Sequence, residues 1–281
     1  MAIHSGQKFA FEISLMFKLM EDIRTGITSR SELAKYNGLG ENKIESCVDY
    51  LNKLDVIEIK LPGRNFSCTY FGTTILKLKS NPEFVEPLFL YKLVRLEKQG
   101  GHLYFSILIN DLLYDVAFRI DNHITQQAIV ETFLSKYENI TVGNRVELLK
   151  QAFKTGLANS VSGFGKMGMV VEKDGTFEIV GYIPHKLVTA FILYDNWPRG
   201  RAALKLNELV TADYLPGRIF FMSQDVLYQQ LHELAAERLI YIEQQAGLDQ
   251  IRLNPEIGPQ DILDRMVEYA EQTNALTATG L

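Results

Sequence analysis

Thr28-Ser29-Arg30-Ser31-Glu32, followed by Gly38-Leu39-Gly40-Glu41-Asn42-Lys43-Ile44, is the stretch that decides the fold. Ser29 is suited to cap a helix, and Glu32, three residues on, can reach back to the cap's own N–H. The helix they open is short, because Gly38-Leu39-Gly40 permits a tight turn. Beyond the turn Ile44, Cys47, Val48, Leu51 and Leu54 share one stripe of a third helix. Ahead of the stretch Ile13, Met16, Phe17, Met20 and Ile23 recur at helical spacing and give a first helix. After it the period drops to two: Ile57, Ile59 and Leu61 alternate with Glu58 and Lys60. Pro62-Gly63-Arg64-Asn65 makes a turn, and Phe66 to Tyr70 a returning strand. Three helices, a tight turn before the third, then a hairpin describe a winged helix-turn-helix over residues 1–72.

Residues 184–281 repeat this outline. His185–Trp197 reads as a helix with Pro184 in its first turn, and Leu204–Val210 as a short one. Ser223 caps a further helix, with Asp225 placed where the helix dipole favours an acid and Val226, Leu227, Leu231, Leu234 and Ala235 buried. Ile240–Glu243 and Gln250–Leu253 flank a turn at Ala246-Gly247, Gln260–Gln272 is a terminal helix, and Thr273–Leu281 a frayed tail. The middle, residues 73–183, is helical over Glu83–Lys98, Thr125–Tyr137 and Asn144–Leu157, and Met167–Tyr182 folds as a hairpin around Lys173-Asp174-Gly175. The expected class is mainly α with minor α+β character: a winged unit at each end and a helical middle with a hairpin.

Composition narrows the function. The 281 residues show no low-complexity run. Met1–Gln7 has no charged-then-apolar signal pattern, and apolar stretches such as Leu88–Leu90 and Phe105–Ile109 fall far short of the roughly 18–20 residues of a membrane span. A cytoplasmic protein without membrane contact is expected. Cys47 and Cys68 suit neither a disulfide framework nor a CxxC pair, and read as small buried hydrophobes. The formal net charge is −5, so any contact with nucleic acid must rest on local charge.

Two stretches carry a resemblance. Gly38-Leu39-Gly40-Glu41-Asn42-Lys43-Ile44 with Tyr50 and Leu54, and Tyr214-Leu215-Pro216-Gly217-Arg218-Ile219-Phe220 with the helix after it and Ala246-Gly247-Leu248, resemble the bacterial domain of unknown function numbered four thousand and seven. At the N-terminus, where that family shows Ser-Gly-His-x-Thr-Phe, this chain has Ser5-Gly6-Gln7-Lys8-Phe9, without the histidine and one residue shorter. The resemblance implies an accessory or regulatory protein encoded in defence islands, near DNA phosphorothioation genes, with no catalytic activity to carry over.

No stretch carries chemistry strongly. Gly163-Phe164-Gly165-Lys166-Met167-Gly168 matches a glycine-rich fingerprint, but a helix precedes it and a strand follows, the reverse of a dinucleotide site. The HRD-type loop and DFG triplet of a kinase are missing. His4, His102, His123, His185 and His232 lie too far apart for a helical metal site. Glu58-Ile59-Lys60 resembles the end of a nuclease core, yet the nearest upstream acid, Asp55, sits at the helix-to-strand turn, so an exposed wing edge is the simpler reading. No metal, no cofactor and no enzymatic activity are expected.

Binding remains. In the first unit the third helix would read duplex DNA with Asn42, Lys43, Ser46 and Lys53, while Lys60 and Arg64 of the wing reach phosphates. Glu41, Glu45 and Asp49 on the same helix oppose this. In the second unit the helix Ser223–Leu239 carries Asp225, Glu233 and Glu237 and suits a protein surface, with its basic material just outside at Arg199, Arg201, Lys205 and Arg218. The expectation is a DNA-binding or DNA-system accessory protein that forms homo-oligomers and meets other defence proteins. An assembly subunit that never touches DNA is the alternative, and an unrecognised enzyme a lesser one.

Overall fold

A computed structural model of the chain describes residues 12–60, 65–96, 104–137, 145–158, 163–245 and 248–279. The first three helices form as the capping pattern requires: α1 (Ile13–Arg24), α2 (Arg30–Asn37) and α3 (Glu41–Lys53). Ser29 Oγ accepts from Glu32 N–H at 3.3 Å and donates to the Glu32 carboxylate at 2.7 Å. Gly38 closes α2 at φ 61°, a conformation that a side chain would strain. Strands β1 (Ile57–Lys60) and β2 (Asn65–Cys68) pair antiparallel, Ile57 opposite Cys68 and Lys60 opposite Asn65. Phe66 N–H donates to Thr28 O, which fastens the hairpin to the loop before α2.

The returning strand is shorter than its sequence suggests. Thr69 ends it by accepting Gly72 N–H at 3.0 Å, so Tyr70 opens a helix, α4 (Tyr70–Lys77). The start of α4 lies hard against the turn before β1: a Cβ on Gly72 would meet Val56 O at 2.0 Å. Then come α5 (Pro82–Arg95), and α6 (Tyr104–Ser106) running into a π-helical stretch at Ile107–Phe118. There Arg119 N–H donates to Tyr114 O, five residues back. A short strand β3 (His123–Ile124) and α7 (Gln126–Lys136) follow, with Thr125 as the cap of α7. Helix α8 (Arg145–Gln151) passes into a second π-helical stretch, Ala152–Ala158. The glycine-rich segment is a tight turn, Gly163–Met167, before β4 (Val170–Lys173) and β5 (Thr176–Ile179). The expected hairpin is thus the edge and centre of a three-stranded sheet, in the order β3-β5-β4.

The last third begins with α9 (Lys186–Asn196), nearly all of it buried. His185 rather than Pro184 starts it, its Nδ1 accepting Leu187 N–H at 3.2 Å. The segment expected as one short helix divides into β6 (Leu204–Lys205) and α10 (Leu206–Thr211). A single turn, α11 (Pro216–Ile219), precedes α12 (Gln224–Ala236), capped by Ser223, and strands β7 (Ile240–Gln245) and β8 (Leu248–Leu253). The sheet order is β6-β8-β7. Helix α13 (Pro259–Thr279) continues through the stretch expected to fray and packs on both α9 and α4. The architecture is mainly helical with three small antiparallel sheets among the described residues, and one continuous apolar core joins its ends. Among those residues no helix is long and apolar enough to cross a membrane.

Candidate functional site

The structure separates the candidate DNA contacts into three kinds. Asn42 is exposed in the first turn of α3. Ser46 and Lys43 are half-buried one turn apart, and Lys43 pairs with Glu12 at 3.2 Å. Lys53 pairs with Asp49 at 2.6 Å, and Lys60, on the exposed side of β1, with Glu58 at 2.8 Å. Lys60 and Ser67 together hold the Glu58 carboxyl below the usual carboxylate range. Arg30 meets Glu45 at 2.8 Å on the same face. The cations of this face therefore stand beside carboxylates of their own unit. Arg64 lies outside the described residues.

Around α10, Glu208 gathers the basic material. Its carboxylate accepts from Arg201 at 2.9 and 3.3 Å and from the Lys205 backbone N–H at 3.3 Å. Arg199 and the Lys205 side chain are exposed, and neither has an ion-pair partner among the described residues. Arg218 is different and corrects the sequence reading. It is 8% exposed, its guanidinium donating to Thr211 O at 3.1 Å, to Asn110 O and to Asp115 at 3.0 Å, with Asp213 3.1 Å from Nε and the Tyr114 ring 4.3 Å away. It fastens the Ile107–Phe118 helix to the last third of the chain and is not presented to a phosphate.

A site-like feature that the sequence did not reveal lies elsewhere. A cleft of about 450 Å³ opens where the turn after α3, the start of α4, α5, α9 and the start of α13 meet. Phe71, Phe191 and Leu263 supply apolar walls, and the two rings stack at 5.8 Å. Lys92 of α5 is buried at its base, with Nζ 3.1 Å from Asp195 Oδ2, 4.0 Å from Asp55 and 4.7 Å above the Phe71 ring. Tyr91 Oη donates to the same Asp195 oxygen at 2.7 Å, and Arg95 also pairs with it. Burial first, and the Asp195 charge next, raise the Tyr91 phenol well above its usual value, so it stays a donor. Asp55 stands at the mouth with φ 61°, its side chain 67% exposed. Asp261, in the first turn of α13, accepts Gly258 N–H at 2.7 Å. Tyr70, which also lines the cleft, donates to Asp264, a bond that raises the tyrosine pKa to about 12. A signal existed in the sequence: Lys92 and Asp195 each interrupt a long apolar run.

The remaining chemical candidates stay apart. His123 is exposed with Nδ1 against Asp121 O, His232 is exposed on α12, and His185 is packed between Phe84 and Tyr269, while His4 and His102 lie outside the described residues. Among the described residues no three histidines, cysteines or carboxylates form a group able to hold a metal ion. Burial pushes the Cys47 thiol up to about 11, away from nucleophilic use.

No family model matches the chain, and no curated protein matches it in sequence. Two solved structures are similar to it in fold: an SspB crystal structure at 12% identity, and a magnesium ion-bound SspB crystal structure at 14%. Each superposes with a TM-score of 0.72 over 98% of this chain and 90% of the other. At that identity the likeness concerns the fold, and it extends over the whole length.

Proposed function

We propose that the chain is a non-catalytic accessory protein of a bacterial DNA-modification or defence locus, and that it contacts duplex DNA through winged helix-turn-helix units at its two ends. The observation that carries this reading is the order α1-α2-α3-β1-β2 with the hairpin tied back to Thr28 O, Asn42 exposed on α3 and Lys60 exposed on the hairpin. The order α9-β6-α10-α11-α12-β7-β8, with its three-stranded sheet, supports the same reading of the other end. The family resemblance supports the locus.

The contact set is Asn42, Lys43, Ser46, Lys53, Lys60 and Arg64 in the first unit, and Arg199, Arg201 and Lys205 in the second. Exposed ion pairs such as Lys60–Glu58 are weak and screened by water, so a phosphate competes for these cations. The displaced carboxylates stay nearby and limit the affinity. Fluorescence anisotropy of a labelled duplex, with and without phosphorothioate, tests the proposal across salt concentrations. About four neutralised phosphates give a log–log slope near −3.6. Replacing Lys60 and Arg64 together flattens it by roughly two, and Asn42→Ala changes sequence preference, costing roughly 1–3 kcal/mol at one base pair. Absence of duplex binding at low salt refutes direct recognition.

A second reading, an assembly subunit that docks on protein, is favoured by α12. Exposed Glu233 on it and Glu237 just after it are held by Lys186 at 3.4 and 2.5 Å, an acidic arrangement that suits protein better than phosphate. Self-association belongs to both readings, and light scattering decides it.

A further inference from the structure

The geometry points to the cleft between α4, α9 and α13 as a docking site for a basic side chain, an arginine above all, carried on a short segment of a protein partner. Asp195 is held by three donors, from Tyr91, Lys92 and Arg95, and all three converge on Oδ2. Its other oxygen has no hydrogen-bond partner among the described residues, and the carboxylate is fixed before any ligand arrives. Asp55 and Asp261 add two exposed carboxylates at the mouth. Among the described residues Lys92 is the one cation lining the cleft; with Arg95 just outside it neutralises Asp195, it stacks over Phe71, and it stands 4.0 Å from Asp55. The open part of the cleft therefore carries a negative surplus.

The walls suit the same occupant. An arginine needs an apolar surface for its methylene stem and planar acceptors for its head. Phe71, Phe191 and Leu263 provide the first, and Asp55 and Asp261 the second. A phosphate is disfavoured by the exposed Asp55 and Asp261 carboxylates, so the cleft is separate from the duplex contacts proposed above. Its volume of about 450 Å³ exceeds what one side chain fills and leaves room for flanking backbone.

The test uses the full chain and three capped peptides: acetyl-Leu-Arg-Leu-amide, the same peptide with citrulline, which keeps the shape without the charge, and the same peptide with Glu. Calorimetry and amide chemical shifts read binding. Saturable binding of the arginine peptide at millimolar or lower concentration, about tenfold weaker for citrulline and absent for Glu, is the expected result. Asp55→Asn combined with Asp261→Asn is expected to weaken the arginine peptide by about tenfold. Both changes keep the fold, since Asn tolerates the φ of 61° at position 55 and still offers an oxygen to Gly258 N–H. Duplex binding by the double variant is expected to be unchanged, which keeps this result separate from that of the DNA reading. No saturation by roughly 10 mM arginine peptide, or equal affinity for citrulline, or an undiminished affinity in a double variant that melts like the parent, overturns the proposal.

Discussion

Replacing Arg218 with Met separates a structural role from a DNA-binding one. The substitution keeps a stem against Tyr114 and removes the guanidinium. What is lost is specific: two charge-assisted bonds to the main-chain oxygens of Thr211 and Asn110, the stacking over Tyr114, and ion pairs to Asp115 and Asp213. Bonds to charged donors are worth about 1.5–3 kcal/mol each, and a buried cation over an aromatic face up to about 2 kcal/mol. The two aspartates, 36% and 60% exposed, regain water when the arginine leaves and add little to the cost. Methionine recovers part of the packing. The balance is a destabilisation of about 3 kcal/mol, near the lower end for breaking a buried ion pair. With a urea slope of about 3 kcal/mol/M, the unfolding midpoint falls by about 1 M, readable by circular dichroism. Below the transition, duplex binding by the folded variant should keep the parent's salt slope. Arg199→Ala supplies the contrast, with stability within about 0.5 kcal/mol of the parent and a slope flatter by about one. An Arg218→Met protein with an unmoved midpoint and a flattened slope would refute the reasoning and return Arg218 to the phosphate contacts.

Gly72→Ala places a Cβ 2.0 Å from Val56 O, a clash between two backbone segments that no rotamer relieves, and should cost roughly 3 kcal/mol in the same urea assay. His185 has its imidazolium disfavoured by burial and next by Lys186, against Glu83, Glu237 and Glu233, with Phe84 and Tyr269 packed on either side. Its folded pKa lies below the ordinary 6.5, so the unfolded chain takes up the proton first. Its contribution is full above that pH and is lost as pH falls through 6.5 towards the folded value; His185→Asn, which keeps an acceptor for Leu187 N–H, should remove that part of the slope in thermal melts. Cys47, with its thiol pushed up to about 11, should react with a disulfide reagent near pH 8 only as fast as the protein opens, so a rate independent of denaturant would contradict its burial.

The first unit was legible because its signals are local. The Ser29 cap, the Gly38 turn and the change of period at Ile57 act within a few residues of one another, and the structure realises each. The stretch Tyr104–Phe118 was not legible. A helix buried on most sides shows only Asp111 and Asp115 as a polar stripe, and Ile107–Leu108–Ile109 with Leu112–Leu113 reads equally as strand or helix. Strand β3 is two residues long and exists because Glu178 and Phe177 pair with it. Leu204–Val210 divided because Leu204 and Lys205 pair with Ile251 and Gln250, which local spacing does not foretell.

The charges failed for a related reason. Lys53, Lys60 and Arg201 pair with acids a few residues away, but the partners of the buried charges are far along the chain. Arg218 meets Asp115 across 103 positions, as Lys92 meets Asp195, and Tyr70 meets Asp264 across 194. These long-range polar ties have a consequence for function. They join α5 to α9, the Ile107–Phe118 helix to α11, and α4 to α13, so the two ends are parts of one body and not beads on a linker. Two flexibly joined readers would adapt to many spacings of phosphate, each raising the effective concentration of the other. Two rigidly joined ones cannot. If the chain contacts duplex DNA as proposed, the Arg199–Lys205 region strengthens binding by the α3 face only where the duplex presents phosphates at the one separation that the core fixes, or bends to do so at a cost of order 1–6 kcal/mol. On that proposal, sequence-dependent DNA stiffness, felt at base pairs the protein never touches, adds to the preference read by Asn42, and it comes from the packing between the units.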